Sequence, residues 1–248
     1  MTRLTNGDLM AIVSNTVGYL DDDTLLEAFF AFDDSLSGRR PAVLINHTWV
    51  GRDDFVAEKA KKLAALGYVG FAVDMYGKGV LGSSPEENAK LMRPFMDNRQ
   101  LLKKRMIAAL YAVTLLPWVD DSKIAAIGFC FGGLCSLDLA RAGADLKGVV
   151  SFHGLLEAPG NAQENTIRAK ILALHGHDDP MVPVEQVLAF EQEMTKAGVD
   201  WQLHTFGNTL HAFTNPVANN PDFGMVYQPD ADRRSWLVME NFLTEIFA

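Results

Sequence analysis

The chain has 248 residues, a formal net charge of −9 at pH 7 and only two cysteines. The acidic balance argues against a nucleic-acid-binding protein, because contacts to phosphates require a basic surface. Cys130 and Cys135 cannot form a disulfide framework, and this usage is typical of a reducing compartment. The N-terminus has no secretory hydrophobic region, and no apolar run reaches the length of a membrane span. We therefore expect a cytoplasmic globular protein.

In chain order, the predicted elements begin with an antiparallel hairpin at a sheet edge, because residues 11–32 form two alternating runs around three aspartates. Beyond it, short apolar strands alternate with amphipathic helices, which predicts an α/β fold with a mostly parallel central sheet flanked by helices on both faces. No internal repeat or Ser/Gly-rich linker interrupts the chain, so residues 1–248 are expected to form a single domain. The strands are predicted at 42–46, 69–73, 124–129, 148–152, 171–175 and 201–206, and the helices at 54–66, 97–116, 131–141, 184–197 and 231–247.

Two long irregular stretches, 76–94 and 207–230, exceed the usual length of a connection between elements. Loops of this length often carry function, so we expect both to wall a pocket. The alternative for the first stretch is a short helix at 85–92.

The strongest local motif is the run GFCFGG at 128–133, between a predicted strand and a predicted helix. It has the G-x-nucleophile-x-G form in which a strand turns sharply into a helix. Glycines two residues to either side of Cys130 let the strand and helix pass without side-chain clashes, and the helix N-terminus favours an anionic nucleophile. Cys130 is the predicted nucleophile, and a buried structural cysteine is the alternative. Cys135 is expected to be a small core residue.

Two downstream segments supply partners in the order expected for an α/β-type hydrolase: nucleophile, acid, histidine. An apolar strand ends in GHDDPMVP at 176–183, where Asp179 holds the position of the acid and Asp178 is the alternative. A later strand is followed by a loop that contains His211, the predicted base.

The sequence contains no motif of a metal or cofactor site, and the remaining histidines are expected to be structural or exposed. No H-E-x-x-H or C-x-x-C motif is present, and the glycines form neither a P-loop nor a dinucleotide-binding motif. We therefore expect no metal and no cofactor. Structural or exposed positions account for His47 and His175 at strand ends, His153 at the same rim, and His177 and His204.

With cysteine in the elbow and these flanking segments, residues 15–247 resemble the dienelactone hydrolase family of α/β hydrolases. The resemblance is carried by the elbow, by VDMYG at 73–77, by the acid turn and by HAF at 211–213. It implies a triad of Cys130, Asp179 and His211. It also implies an oxyanion hole formed by the backbone N–H groups of Phe131 and Trp49.

The same resemblance implies a set of substrate-binding residues with departures from the family pattern. Better-known members carry a glutamate where this chain has Thr48, and two arginines where it has Lys78 and Asn215. Lysine still binds an anion as a point charge, whereas asparagine only forms hydrogen bonds. The expected substrate-binding residues are His47, Thr48, Tyr76, Lys78 and Asn215.

The predicted function is hydrolysis of a small ester or lactone through a thioester on Cys130. Two alternatives stay open: a broad-specificity carboxylesterase or thioesterase, and a non-catalytic sensor that binds a ligand on the same fold. The expected partner is a small-molecule substrate, with neither nucleic acid nor membrane, and the chain is expected to be a monomer or small homo-oligomer.

Overall fold

The computed structural model of the chain describes residues 11–160 and 167–248. Its centre is an eight-stranded sheet with the order β1-β2-β4-β3-β5-β6-β7-β8. The strands are β1 Ile12–Asp21, β2 Thr24–Asp33, β3 Arg40–Asn46, β4 Val69–Ala72, β5 Val119–Phe129, β6 Gly148–Phe152, β7 Lys170–Gly176 and β8 Trp201–Phe206.

Strands β3 to β8 are parallel, and the β1–β2 hairpin joins the sheet antiparallel to β4. This confirms both the mostly parallel sheet and the edge hairpin that the sequence predicts. The carboxyl ends of the parallel strands therefore meet along one rim, where ligands bind in open α/β sheets. The single domain stays a prediction.

Helices cover both faces of the sheet, as expected from strands that are apolar on both sides. One face packs against α2 Pro85–Asp97, α3 Arg99–Thr114, α4 Phe131–Arg141 and α5 Val184–Lys196. The other packs against α1 Asp54–Ala65 and α6 Pro229–Phe247. None of the described helices is both long and apolar enough to cross a bilayer.

The stretch 76–94 is irregular only as far as Ser84, so the prediction of one long irregular stretch was wrong and its alternative, a short helix at 85–92, is confirmed. α2 begins with Ser84 as its N-cap and Pro85 at the first helical position, and it continues to Asp97. Asn98 then separates α2 from α3: its side-chain oxygen accepts from the backbone N–H groups of Gln100 and Leu101 at 3.2 and 3.1 Å. The predicted helix at 97–116 is thus α3 alone, and the alternative helix at 85–92 is the first part of α2.

The stretch 207–230 is largely irregular, with a small hairpin inside it. β9 Asn219–Asn220 pairs with β10 Met225–Val226 across a 3-10 turn at Pro221–Phe223. This hairpin lies against the loop that contains His211, because the backbone of His211 bridges to Met225.

Candidate active site

Cys130 lies at the sharp turn between β5 and α4, at the carboxyl rim of the sheet. Its φ of 57° and ψ of −119° are unusual for a residue with a side chain. Its backbone N–H donates to the carbonyl of Phe152 at 3.0 Å, and the N–H of Gly133 donates to the carbonyl of Cys130 at 2.9 Å. These bonds hold the strained residue at the N-terminus of α4 with a half-buried thiol.

The glycines around Cys130 are required by close backbone packing. A Cβ on Gly128 would lie 1.9 Å from the carbonyl oxygen of Gly132, and a Cβ on Gly132 would lie 2.1 Å from the carbonyl oxygen of Asn46. The start of α4 therefore packs directly on the end of β3. This contact brings the predicted nucleophile and the predicted oxyanion loop together.

Asp179 and His211 form a buried pair, with His211 Nδ1 2.7 Å from Asp179 Oδ2. The other carboxylate oxygen accepts from the backbone N–H of Met181 at 2.9 Å. Asp178, the alternative acid, is exposed on the same turn. The geometry therefore favours Asp179, since its carboxylate orients the imidazole and fixes which ring nitrogen is free.

The small hairpin holds His211 in place through its backbone. The N–H of His211 donates to the carbonyl of Gly224 at 2.9 Å, and the carbonyl of His211 accepts from Val226 at 3.1 Å. A Cβ on Gly224 would lie 2.2 Å from Pro180, the residue after Asp179. The hairpin thus links the loop that contains the histidine to the turn that contains Asp179.

The charge state of His211 depends on its two neighbours. Burial by itself would lower the pKa of His211, but the nearby Cys130 and the bonded Asp179 outweigh burial and raise this pKa to about 10. Nε2 of His211 is buried and has no hydrogen-bond partner of standard geometry among the described residues. Because Cys130 raises the pKa of His211, its thiol lies close to this imidazole ring.

The loop after β3 is held by the buried ring of His47 and the partly buried ring of Tyr76. His47 accepts from the N–H of Met75 through Nε2 at 3.3 Å, while its Nδ1 lies 2.5 Å from the carbonyl oxygen of Thr48. Burial lowers the pKa of His47 to about 4, so the ring is neutral near pH 7. The hydroxyl of Tyr76 donates to the carbonyl of Trp49 at 3.1 Å, and its ring stacks on Phe131 with 6.1 Å between centroids.

The backbone N–H groups of Trp49 and Phe131 are both available to a ligand. Phe131 is the first residue of α4, so its N–H has no partner within the helix. Neither N–H donates to another group among the residues that the structure describes. Both N–H groups are therefore free to form the predicted oxyanion hole, which needs such unpaired donors.

Comparison with known proteins shows which family has this fold. Residues 26–247 match the sequence profile of the dienelactone hydrolase family. The chain belongs to the dienelactone hydrolase family. It is a carboxylic ester hydrolase of that family, and the α/β-hydrolase fold expected from the sequence is confirmed.

Three relatives indicate how close the similarity is. A dienelactone hydrolase-like promiscuous phosphotriesterase, P91 from metagenomic libraries, has a crystal structure that is 37% identical, with a TM-score of 0.91 over 96% of this chain and 100% of that one. An uncharacterized protein of Caenorhabditis elegans is 40% identical over 61% of this chain and 98% of its own length. A putative carboxymethylenebutenolidase of Aquifex aeolicus is 29% identical over 82% of this chain and 87% of its own length.

Within this dienelactone hydrolase family member, the predicted substrate-binding residues do not all converge. Lys78 is exposed and forms an ion pair with Glu27 at 2.9 Å, so a substrate anion must compete with that carboxylate. Asn215 lies away from the predicted triad, in a cavity whose lining includes neither Cys130 nor His211. His47 has no exposed surface, so it does not contact a substrate directly. Its ring instead contacts the backbone of Thr48 and Met75 and so holds the loop after β3. Thr48 lies in the loop after β3, and Tyr76 contacts that loop through the carbonyl of Trp49.

His153 is a residue near the site that the sequence indicates only as structural. It is buried, has a φ of 39°, and its Nε2 lies 2.7 Å from the hydroxyl of Thr214. Its ring packs edge-on against His211 with 5.1 Å between centroids. Burial and the neighbouring His211 hold the pKa of His153 well below its usual range, so the ring is neutral. Nothing local in the sequence marks this contact, because Thr214 is 61 residues away.

The neighbouring rings of His153 and His211 do not form part of a group of metal ligands. Over residues 11–160 and 167–248, no three His, Cys, Asp or Glu side chains are grouped so as to hold a metal ion.

Proposed function

We propose that this hydrolase cleaves small carboxylic esters or lactones with Cys130 as nucleophile, His211 as proton carrier and Asp179 as its orienting acid. The observation that carries the proposal is the pairing of Asp179 with Nδ1 of His211 while Nε2 stays free beside Cys130. This pairing leaves one imidazole nitrogen for the nucleophile, which is the arrangement that triad catalysis requires.

In the acylation step, the proton of the Cys130 thiol moves to Nε2 of His211. The thiolate attacks the ester carbonyl, and the N–H groups of Trp49 and Phe131 bind the oxyanion that forms. Collapse of this intermediate breaks the carbonyl–oxygen bond, and His211 returns its proton to the departing alkoxide. The products of the step are an alcohol and a thioester on Cys130. In a lactone, the alcohol remains attached to the acyl chain.

In the deacylation step, the charge balance around His211 changes. The sulfur of a thioester is neutral, so the thiolate that raises the pKa of His211 is no longer present. His211 is therefore left as a neutral imidazole, which takes a proton from a water molecule while the oxygen of that water attacks the thioester carbonyl. Release of the acid regenerates the thiolate and the imidazolium. Asp179 stabilises the charged imidazole in both steps.

A cysteine nucleophile restricts the cellular compartment in which the enzyme can act. A disulfide or a sulfinic acid at Cys130 would remove the thiolate, so we propose that the enzyme acts in the reducing cytoplasm.

A substrate panel separates the lactonase from the broad esterase. We expect the protein to hydrolyse p-nitrophenyl acetate and a small enol lactone, with an acyl adduct on Cys130 trapped by acid quench and mass spectrometry. A lactone turned over with much higher kcat/KM than the acetate supports the lactonase; similar values support the broad esterase. A p-nitrophenyl phosphotriester belongs in the panel because the P91 relative is described as a phosphotriesterase.

The sensor alternative is tested by the same panel. A protein that binds a lactone tightly without consuming it, and that forms no adduct on Cys130, would contradict the proposal.

We further propose that His153 positions the triad histidine, because its neutral ring packs on His211 and its bond to Thr214 holds the loop that follows. We expect His153→Phe, which keeps a ring but loses the bond, to lower kcat about tenfold to a hundredfold with KM nearly unchanged. Thr214→Val removes the same bond from the other side and should give the same change in kcat.

The pH profile separates positioning from simple destabilisation. A displaced His211 loses part of its interaction with Cys130, so the alkaline limb of kcat/KM should move to lower pH in both variants. If both variants lower only the unfolding temperature and leave kcat and this limb in place, the positioning role is wrong.

A further inference from the structure

The carbonyl of Thr48 belongs to the same peptide group as the N–H of Trp49, one of the two donors of the proposed oxyanion hole. Nδ1 of His47 lies 2.5 Å from this carbonyl oxygen, and the N–H of Gly51 donates to the same oxygen at the longer distance of 3.4 Å. A hydrogen bond to the carbonyl of a peptide polarises the whole group and strengthens the bond that its N–H donates. The ring of His47 therefore bears directly on the Trp49 donor.

The two ring nitrogens of His47 have fixed and opposite roles. A carbonyl oxygen only accepts, so the ring hydrogen lies on Nδ1, while Nε2 accepts from the backbone N–H of Met75 at 3.3 Å. The ring has no exposed surface, and burial lowers the pKa of His47 to about 4, so near pH 7 it is neutral and carries a single hydrogen. The opposite tautomer would lose both bonds. His47 thus joins two peptide groups, accepting from one and donating to the other.

The hydrogen bonds continue from Met75 to the edge hairpin. The N–H of Met75 belongs to the same peptide group as the carbonyl of Asp74, and this carbonyl accepts from the hydroxyl of Tyr19 in β1 at 2.8 Å. The N–H of Asp74 donates to the oxygen of the same hydroxyl at 3.2 Å. Burial raises the pKa of Tyr19 above its usual value, so the hydroxyl keeps its hydrogen. The hairpin is therefore connected to His47 through one peptide group.

All donors in this series point in the same direction, towards the proposed oxyanion hole. The hydroxyl of Tyr19 donates to the first peptide group, that group donates to His47, and His47 donates to the peptide group of the Trp49 N–H. Bonds aligned in this way polarise one another, and they do so more strongly in a buried site than in water. Met75 and His47 are fully buried, and Asp74 is 2% exposed. The series is therefore shielded from solvent over its central part.

The loop after β3 has further anchors that do not involve His47. The hydroxyl of Tyr76 donates to the carbonyl of Trp49 at 3.1 Å, and the N–H of Gly82 donates to the carbonyl of Val50 at 2.9 Å. These two bonds hold the peptide groups that follow the Trp49 N–H. Loss of the His47 bond should therefore change the orientation and polarity of one donor without releasing the loop.

We propose that His47 and Tyr19 are positioning residues of the ester site, which orient and polarise the N–H of Trp49 through this series of hydrogen bonds. The inference rests on the proposed function, because it requires that N–H to bind the oxyanion. The oxygen carries its full charge only in the tetrahedral intermediate, so a better donor there raises kcat and leaves KM nearly unchanged.

His47→Phe keeps an aromatic ring and removes both bonds. It should lower kcat for p-nitrophenyl acetate about tenfold to a hundredfold with KM nearly unchanged, a smaller loss than removal of a whole oxyanion donor causes. Alkylation of Cys130 by iodoacetamide uses the thiolate and His211 but no oxyanion hole, so its rate should equal that of the parent. Unchanged kcat, or an alkylation rate that falls as much as kcat, would overturn the proposal.

Trifluoroacetone gives a readout of the oxyanion hole alone. The thiolate of Cys130 adds to its carbonyl carbon, and the carbonyl electron pair becomes an oxyanion in a stable tetrahedral adduct. The affinity of His47→Phe for this ketone should fall by about the same factor as kcat. An unchanged affinity would contradict the proposal. A parent enzyme that forms no adduct and turns over no ester would instead contradict the proposed function.

Tyr19→Phe removes only the hydroxyl at the far end of the series. It should lower kcat about twofold to fivefold with KM and the alkylation rate unchanged, because the bonds to His47 and Thr48 remain but are less polarised. Tyr111→Phe, which removes an exposed hydroxyl on α3, is the matched control and should keep the parent kcat. Equal kcat in Tyr19→Phe and Tyr111→Phe excludes Tyr19 from the series, and it overturns the whole proposal if His47→Phe does not fold.

Discussion

Replacement of Cys130 by alanine is expected to lower kcat for p-nitrophenyl acetate by about 10⁶-fold, the effect that loss of a triad nucleophile has in serine hydrolases. The physical reason is that no acyl-enzyme can form without the sulfur, and the remaining groups can only orient a water molecule. Residual hydrolysis of about 10³-fold over the uncatalysed rate is expected to persist, because the N–H groups of Trp49 and Phe131 still bind the oxyanion. Steady-state kinetics and mass spectrometry of the acyl adduct measure both effects.

Cys135 provides the matched control for this substitution. It lies one helical turn beyond Cys130, is fully buried, and burial raises the pKa of its thiol well above the usual range. Iodoacetamide should therefore label Cys130 and leave Cys135 unmodified. Cys135→Ala should lose some stability through a smaller core side chain but keep its turnover. Near-normal activity in Cys130→Ala, or labelling that persists there, contradicts the proposed nucleophile.

The parts of the site that the sequence could predict are those set by local backbone geometry. A strained turn between a strand and a helix needs glycines at fixed distances, so Cys130 is marked by Gly128 and Gly132 alone. The sheet could also be predicted from the sequence, because apolar strands in a βαβ pattern are compatible with few topologies. The order of Asp179 and His211 along the chain supplied the remaining information.

The parts that the sequence could not predict depend on contacts between distant segments. His153 meets His211 and Thr214 only because β6 ends beside the loop after β8. Lys59 has an ordinary helical position in α1, and its burial results from α6 packing over it at Asp232. α2 was underestimated for a different reason: Asn88 and Phe95 are its only buried residues, so its buried face is narrow and its capping signals were the main evidence for it.

Replacement of Asp179 by asparagine is expected to lower kcat by about 10⁴-fold, as the equivalent substitution does in a serine protease. The amide would be nearly the same size, but its NH₂ group can donate to Nδ1 of His211 where the carboxylate accepts. The imidazole would then carry its proton on Nε2, the nitrogen that must receive the proton of Cys130. The loss is therefore one of tautomer rather than of fold, and the far-ultraviolet circular dichroism spectrum should not change.

The pH dependence of this variant gives a second, independent readout with a definite sign. Asp179 stabilises the protonated form of His211 and contributes to raising its pKa to about 10. In the parent enzyme, His211 should therefore stay protonated until the alkaline limb of kcat/KM near pH 10. Without the carboxylate the protonated form is less stable, so the pKa of His211 falls and the alkaline limb moves to lower pH.

Asp178→Asn is the control, because Asp178 is exposed on the same turn and has no bond to the imidazole. It should keep both the rate and the pH profile of the parent. If instead Asp178→Asn shows the large loss and Asp179→Asn does not, the acid is assigned to the wrong residue. If neither variant moves the alkaline limb, the titration of that limb does not belong to His211, since a carboxylate 2.7 Å from its ring must affect it.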